Sequence, residues 1–536
     1  MEKTWFLYLT AVSLVQCFLV CLAMNGPNST TDQSALLAFK SHISLDHPYH
    51  RLVNNWSSAT SVCDWIGVSC SKRHRRVTAL NLPDMGIGGT IPPHIGNLSF
   101  LSYFNITNNT FHDHLPSEMA RLHRLKFVDF GINNFGGGVP AWFGNLPELQ
   151  YLHLRNNSFT GLVPASIGNI STLESLDLRY NFMEGRVPEE IGYLPKLKKL
   201  FMGFNHFSGS IPTIFNISSL ELIDFSSNML SGILPKDLCI FVPKLKFIYL
   251  SWNEIDGQIP LTLGECRELQ IISLSLNKFS GFVPKAIGNL TLLQRLYFGG
   301  NDFKGEIPPE LGSLQSLEIL SIEDATLTGV IPSSIFNISS LKELYLWTNK
   351  LTGNIPRTIS NCTLLSVLDL ATNNLTGLIP KEIGELPNVK ELILSANNLM
   401  GAIPTSIFNI SSLQGISLSR NKLSSNLPSS IGLWLPNLSF LYLEANNLIG
   451  IIPESISNAS KLTSLGLGIN AFTGSIPKSL GNLRLLQFLN LQANNLTSGS
   501  SSSSPKLSFF TSLVNCKYLQ DLIINQNPLD DILPTT

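Results

Sequence analysis

LQYLHLRNNSFTGLVPASIGNIST, running from Leu149 to Thr172, is one turn of a pattern that fills the chain. Its first half reads LxxLxLxxN. Leu149, Leu152 and Leu154 fall on one side of a short extended segment, and the residues between them fall on the other. So short a strand cannot bury its apolar side alone and must stack on copies of itself. The copies are there. Pro92, Pro116, Pro140, Pro164, Pro188 and Pro212 lie 24 residues apart. After a shorter and a longer step at Pro235 and Pro260, the register resumes at Pro284 and continues through Pro308, Pro332, Pro356, Pro380, Pro404 and Pro428 to Pro453 and Pro477. About nineteen units result. They predict a solenoid whose strands lie side by side in a parallel sheet, about 4.8 Å apart. The Asn that ends each strand (Asn157, Asn181, Asn205, Asn228, Asn253) is placed to bond backbone groups of the turn. Such a ladder satisfies buried polar groups that would otherwise cost about 1–3 kcal/mol each. One rung is missing: Ala325 stands in its place within SIEDATLTGVIP, and a tolerated gap is expected there.

Bulk composition agrees with an extended array. Of 536 residues only 14% are charged while 44% are hydrophobic, and the formal net charge of -1 argues against nucleic acid or an anionic membrane as partner. Trp5 to Met24 is an apolar stretch preceded by Lys3, with Ala23 near its end, which reads as a secretory signal peptide over 1–23. Six cysteines follow: Cys63, Cys70, Cys239, Cys266, Cys362 and Cys516. In an oxidising compartment the close pair Cys63 and Cys70 is expected to bridge. Cys266, Cys362 and Cys516 stand where sister units carry leucine and are expected as buried thiols. Cys239 replaces a glycine in the unit next to Cys266, and whether those two pair stays open. No His/Cys spacing suggests a metal, and nothing implies a cofactor.

The segment LTGxIP, as in Leu351–Pro356 and Leu375–Pro380, resembles the plant class of leucine-rich repeat. SALLAFKSHI followed by NNWSSATSVCDWIGVSC resembles the N-terminal cap of plant leucine-rich-repeat receptor-like kinases, nearest to the subfamily with the immune receptors for bacterial flagellin and elongation-factor peptides. The resemblance implies an α/β solenoid. That fold is a leucine-rich-repeat superhelix with a parallel concave sheet, plant-type 24-residue repeats and a helical cap over 24–76, the repeats filling 77–536. Thr31 or Asp32 is the expected helix N-cap. It further implies a receptor module at the extracellular face of the plasma membrane, binding a peptide or protein for immune or developmental signalling, with a co-receptor kinase as possible partner. The chain stops at DDILPTT inside a repeat, where the family continues into a transmembrane helix and a Ser/Thr kinase, so membrane attachment is expected through a segment outside this sequence. A decoy receptor and a secreted inhibitor resembling the polygalacturonase-inhibiting proteins are the alternatives.

Signals of enzyme chemistry are weak. Asp129-Phe130-Gly131 spells the kinase magnesium tripeptide, but it lies on a repeat strand with no partner motifs. Lys72-Arg73-His74-Arg75-Arg76 is expected as a solvated turn. His153 faces the strand surface, with no triad partner recognised from the sequence. The Ser-rich swelling from Thr497 to Phe510 is expected as a loop. No catalytic residues are assigned.

Ligand contacts are expected on the outward strand positions. Arg155 and Arg179 recur at one position in successive units and suggest a carboxylate site, with Asp129 and Asp177 nearby as the ingredients of a plain ion network. Further along come Phe201, Phe204, Phe247, Tyr249, Trp252, Tyr297, Tyr345 and Trp347, with Glu323, Asp324 and Glu343 among them. Aromatics in such a column are enriched at binding hot spots. The chain carries sixteen N-x-S/T sequons. Asn55, Asn97, Asn169, Asn216, Asn289, Asn337, Asn361, Asn374, Asn409, Asn437, Asn458 and Asn495 are glycosylation candidates, together with Asn105, Asn108 and Asn156 near the strands.

Overall fold

The computed structural model describes residues 29–45, 51–211, 217–498 and 508–529. The signal segment, Asn216 and the core of the Ser-rich swelling lie outside these residues. The chain divides into two compact units, 1–229 and 230–536.

The first unit opens on the helix Ser29–Ser41. Its buried side, Ala35, Leu36 and Phe39, packs Phe39 against Trp56 (6.2 Å between ring centroids) and Phe111 (5.7 Å). Trp56 in turn stacks on Trp65 at 5.2 Å. Cys63 is bonded to Cys70, whose strand Val68–Cys70 runs antiparallel to Val77–Asn81, the first rung of the parallel ladder. Neither Thr31 nor Asp32 caps the helix, since both lie within it. Asp32 is fully buried and takes Arg76 bidentately, Nε at 2.8 Å and Nη2 at 2.7 Å, and also accepts the Val77 N–H at 2.9 Å. The basic run is therefore only partly solvated. Lys72 to Arg75 are exposed, whereas Arg76 locks the cap to the first strand.

From Val77–Asn81 to Leu222–Asp224 this unit holds seven ladder strands. Leu176 sits between Leu152 and Leu200 in register, and all three are buried. The second unit repeats the plan with twelve strands among the described residues, from Phe247–Tyr249 to Asp521–Ile523. The Asn ladder binds at both ends of its amide. Asn157 accepts the Phe135 N–H at 3.0 Å and donates to the carbonyls of Phe130 (2.9 Å) and Leu154 (3.1 Å). The residue before each ladder Asn turns into the left-handed region, as at Tyr180, Phe204 and Trp252 (φ 55°, 59° and 61°).

Two features add detail to the solenoid. Most returning segments, such as Ala165–Asn169, are short 3₁₀ turns, while Leu238–Phe241 is a single α-helical turn. The LTGxIP segments form a second parallel sheet, as in Ser158–Gly161 pairing with Asn134–Gly138 and Phe182–Gly185. Glycines serve the coil in different ways. Gly161 takes φ +72° with open space around it, whereas in the 3₁₀ turn Ala165–Asn169 a Cβ on Gly168 would lie 2.4 Å from the Glu190 carbonyl oxygen of the next turn. At Ala325 the strand ladder continues unbroken, with Ile319–Ser321 paired on both sides. The second sheet gives way there to isolated bridges, Glu306 to Thr328 and Val330 to Thr352. The strand ladder is thus continuous past Ala325, while the second sheet narrows to single bridges on either side of it.

Cys239 is bonded to Cys266, so Cys266 is not the free buried thiol expected from its leucine position. Cys362 and Cys516 are free and buried. Burial pushes the Cys362 thiol up to about 11.

Candidate functional site

Outward strand positions align into columns because parallel pairing keeps register from unit to unit. In the first unit one column reads Tyr103, Phe127, Tyr151, Ser175, Lys199. The next reads Asn105, Asp129, His153, Asp177, Phe201, Asp224. Arg155 and Arg179 follow two residues beyond His153 and Asp177, just past the strands. These side chains surround a depression of about 330 Å³ lined by Tyr151, His153, Ser175, Arg179, Lys199 and Phe201, among others.

Arg179 is largely consumed. It binds Asp177 through Nε (3.0 Å) and Nη2 (2.8 Å), approaches Asp224 at 3.7 Å, and lies 4.1 Å over the Phe201 ring. Burial opposes its charge, but Asp177 and Asp224 more than offset this and hold its pKa above the ordinary arginine value. Arg155 approaches Asp177 only at 4.0 Å. The two arginines are thus unequal, and the ion network centres on Asp177.

His153 has the partners that the sequence did not reveal. Its Nε2 is 3.0 Å from Ser175 Oγ, and its Nδ1 is 3.6 Å from Asp129 Oδ2. Burial would raise the Asp129 carboxyl, but the nearby His153 ring, the hydrogen bond from the Gly131 N–H and the charge of Arg155 bring it below the usual carboxylate value. Although the order Asp–His–Ser is that of a catalytic triad, Ser175 is 4% exposed and its own N–H is spent on the Gln150 carbonyl. A nucleophile needs access and oxyanion donors, so the arrangement is a strut across three strands. Asp129-Phe130-Gly131 is likewise strand and turn, with Phe130 fully buried.

In the second unit one column alternates Tyr249, Ser273, Tyr297, Ser321, Tyr345, then Asp369. Each tyrosine is separated from the next by a serine strand, about 9–10 Å apart. Burial, with the carboxylate of Glu343, keeps the Tyr345 hydroxyl neutral and donating to Glu343 at 3.1 Å. Tyr297 is also raised, chiefly by burial. Asp369 is pushed up to about 6 by burial and by the charges of Glu391 and Glu323, against a hydrogen bond from the Ala371 N–H. Phe247 belongs to the neighbouring column, while Glu323 and Trp347 lie past the strand ends. Phe204 and Trp252 lie off the strands. They occupy left-handed turn positions in their separate units, 41% and 63% exposed. The sequence reading also passed over Tyr103, Phe127 and Tyr151. Their signal is the position immediately before the inward Phe104, Val128 and Leu152.

Asn105 stands apart among the sequons. It is buried, its Nδ2 donates to Asn81 Oδ1 at 3.0 Å and its Oδ1 accepts the Thr107 N–H, so its amide is already engaged in the fold. Asn108 and Asn156 are exposed, as are Asn97, Asn169, Asn289, Asn337, Asn361, Asn409 and Asn458 at the ends of the 3₁₀ turns.

Short strands in register, the Asn ladder and a disulfide-closed helical cap define a solenoid recognition scaffold of the leucine-rich-repeat class. Family profiles agree. The leucine rich repeat N-terminal domain matches residues 29–71, leucine rich repeats match 123–183, 147–207, 219–241, 268–290 and 292–314, and a leucine-rich repeat region matches 348–532. The chain belongs to the leucine-rich-repeat proteins, with the build of a plant receptor-kinase ectodomain. The LRR receptor-like serine/threonine-protein kinase EFR of Arabidopsis thaliana is 40% identical over 95 residues, which are 18% of this chain and 9% of that protein. The matched stretches thus span about a tenth of such curated relatives, 10% and 9% in two of them. Among solved structures, PEPR1-AtPEP1 has a TM-score of 0.69 at 27% identity, covering 93% of this chain and 79% of that one. The plant peptide hormone receptor RGFR1 in complex with RGF2 has a TM-score of 0.65 at 27% identity, covering 88% and 96%. The LRR ectodomain of the Arabidopsis receptor kinase HAESA with an IDA peptide hormone ligand has 0.66 at 25% identity, covering 94% of each. No helix among the described residues is long and apolar enough to cross a membrane.

Proposed function

We propose that the chain is the extracellular ligand-recognition region of a plant leucine-rich-repeat receptor-like kinase, binding a peptide or protein on the outward columns of its strands. The observation that carries this is the likeness, across some nine tenths of the chain, to ectodomains solved with peptide hormones bound. HAESA has also been solved with the co-receptor SERK1, and a co-receptor kinase is the corresponding second partner here. Two disulfides among the described residues suit an oxidising, extracellular setting.

In the first unit, Arg155 is the arginine with charge to spare for a ligand carboxylate, while Phe201 and Phe204 offer apolar contact. In the second, Tyr249, Trp252, Tyr297, Tyr345 and Trp347 form the contact surface, with Glu323 and Glu343 favouring basic groups. The test is a peptide selection on the secreted chain, followed by alanine variants. Trp252→Ala or Tyr297→Ala is expected to weaken binding by about 1–3 kcal/mol each, whereas Asn289→Ala or Asn337→Ala on the outer turns leaves it unchanged. If the outer-turn changes abolish binding and the aromatic changes do not, the strand face is not the recognition surface.

A further inference from the structure

The first column of the first unit contains an interrupted stack. Tyr103 and Phe127 lie face to face, centroids 4.4 Å apart and planes within 5°. Phe127 and Tyr151 follow at 5.7 Å, tilted by 44°. The next position is Ser175, and beyond it comes Lys199. A small residue between two long ones leaves a gap, and the depression of about 330 Å³ lies over it. That volume is at the lower end of small-ligand sites. Ser175, only 4% exposed and with its Oγ held by His153 at 3.0 Å, lies at the bottom of the depression, the far side of Tyr151 forms one wall, and Phe201 another.

The charges lining the gap do not cancel. Asp177 is taken up by Arg179, and Glu174 by Lys198 at 2.8 Å. Arg155 has only its 4.0 Å approach to Asp177 and the more distant charge of Asp129, and among the described residues Lys199 forms no ion pair and is exposed. We propose that the gap over Ser175 is a subsite for an aromatic ring bearing a nearby carboxylate. The ring continues the Tyr103–Phe127–Tyr151 stack, and the carboxylate faces Lys199 and Arg155. Aromatic stacking gives the site its shape preference, and the two spare cations give it a charge preference. Within the ligand-recognition reading, on which this rests, the natural group is a peptide's C-terminal Phe, Tyr or Trp. A free aromatic acid carries the same chemistry.

Two measurements on the secreted full chain test this. Saturation-transfer NMR with 3-phenylpropionate should give saturable binding that weakens about tenfold in Ser175→Phe and about fivefold in Lys199→Glu. Ser175→Phe is expected to fold, because sister strands carry Phe127, Phe247, Phe440 and Phe488 at that register. Ser464→Phe, its counterpart in the second unit, serves as the control and leaves binding intact. Absence of saturable binding, or equal binding by Ser175→Phe, overturns the subsite. The second arm is display selection of peptides with free C-termini. Enrichment of a terminal aromatic residue that disappears in Ser175→Phe supports the peptide source. Peptides selected without that preference overturn the subsite and leave the receptor reading standing. Probe binding with no peptide selected assigns the subsite to free aromatic acids and counts against the receptor reading.

Discussion

Replacing Ala325 by Asn should restore the absent rung and tighten the second sheet of the second unit. The flanking rungs define the geometry. Asn301 accepts the Phe279 N–H at 3.0 Å and donates to Leu274 O (3.0 Å) and Phe298 O (2.9 Å). Asn349 accepts the Leu327 N–H at 3.1 Å and donates to Ile322 O at 2.8 Å. By the same offsets an Asn at 325 accepts from Phe303 N–H and donates to Phe298 O and Ile322 O. Both carbonyls already have one donor, so most of the gain comes from the Phe303 amide. Net hydrogen bonds of about 0.5–1.5 kcal/mol each, less about 1 kcal/mol of side-chain ordering, leave a stabilisation of about 1–2 kcal/mol. Long arrays do not unfold in one step, so local opening is the better readout. Hydrogen exchange at Phe303, Leu327 and Thr328 should slow by about 5- to 30-fold. The reverse change, Asn157→Ala, orphans the buried Phe135 N–H and should cost about 2–4 kcal/mol locally. Unchanged or faster exchange around Phe303 in Ala325→Asn would refute the claim that the missing amide causes the break in the sheet.

Asp32→Ala leaves Arg76 buried without its partner and should destabilise the cap by about 3–5 kcal/mol, seen as rapid proteolysis near the helix Ser29–Ser41; wild-type resistance would show that the pair does not hold the cap. The Asp369 carboxyl is raised to about 6, so the folded state binds its proton more tightly than the unfolded chain. Its contribution to stability is therefore greatest below about pH 4 and falls as pH rises to about 6. Asp369→Asn should accordingly stabilise the second unit at pH 7, by about 1 kcal/mol after solvent screening, with little effect at pH 4, as measured by denaturant melts at both pH values. Glycopeptide mapping of protein from a plant or insect secretory host should find Asn105 unmodified and Asn169, Asn289 and Asn337 occupied; full occupancy at Asn105 would contradict its buried hydrogen bonding.

The repeat was legible from the sequence because each unit needs the same inward leucines and the same terminal Asn, whatever its neighbours are. That periodicity was enough for the stacked parallel ladder, while the cap was legible only through the resemblance of SALLAFKSHI and NNWSSATSVCDWIGVSC to receptor-kinase caps. Periodicity was not enough for features that depend on which units lie next to one another. Arg155 and Arg179 look equivalent in the sequence, yet Arg179 is consumed by Asp177, two residues before it, and by Asp224 from two strands further on, while Arg155 reaches Asp177 only at 4.0 Å. His153 looked isolated because Asp129 and Ser175 lie 24 and 22 residues away in the chain and beside it across the sheet. Cys239 and Cys266 meet for the same reason. Asp32 looked like a helix cap, but burial against Arg76 gave it another task. Local pattern determined the coil, while stacking decided which side chains neutralise, bury or expose one another, since those energies depend on distances between coils.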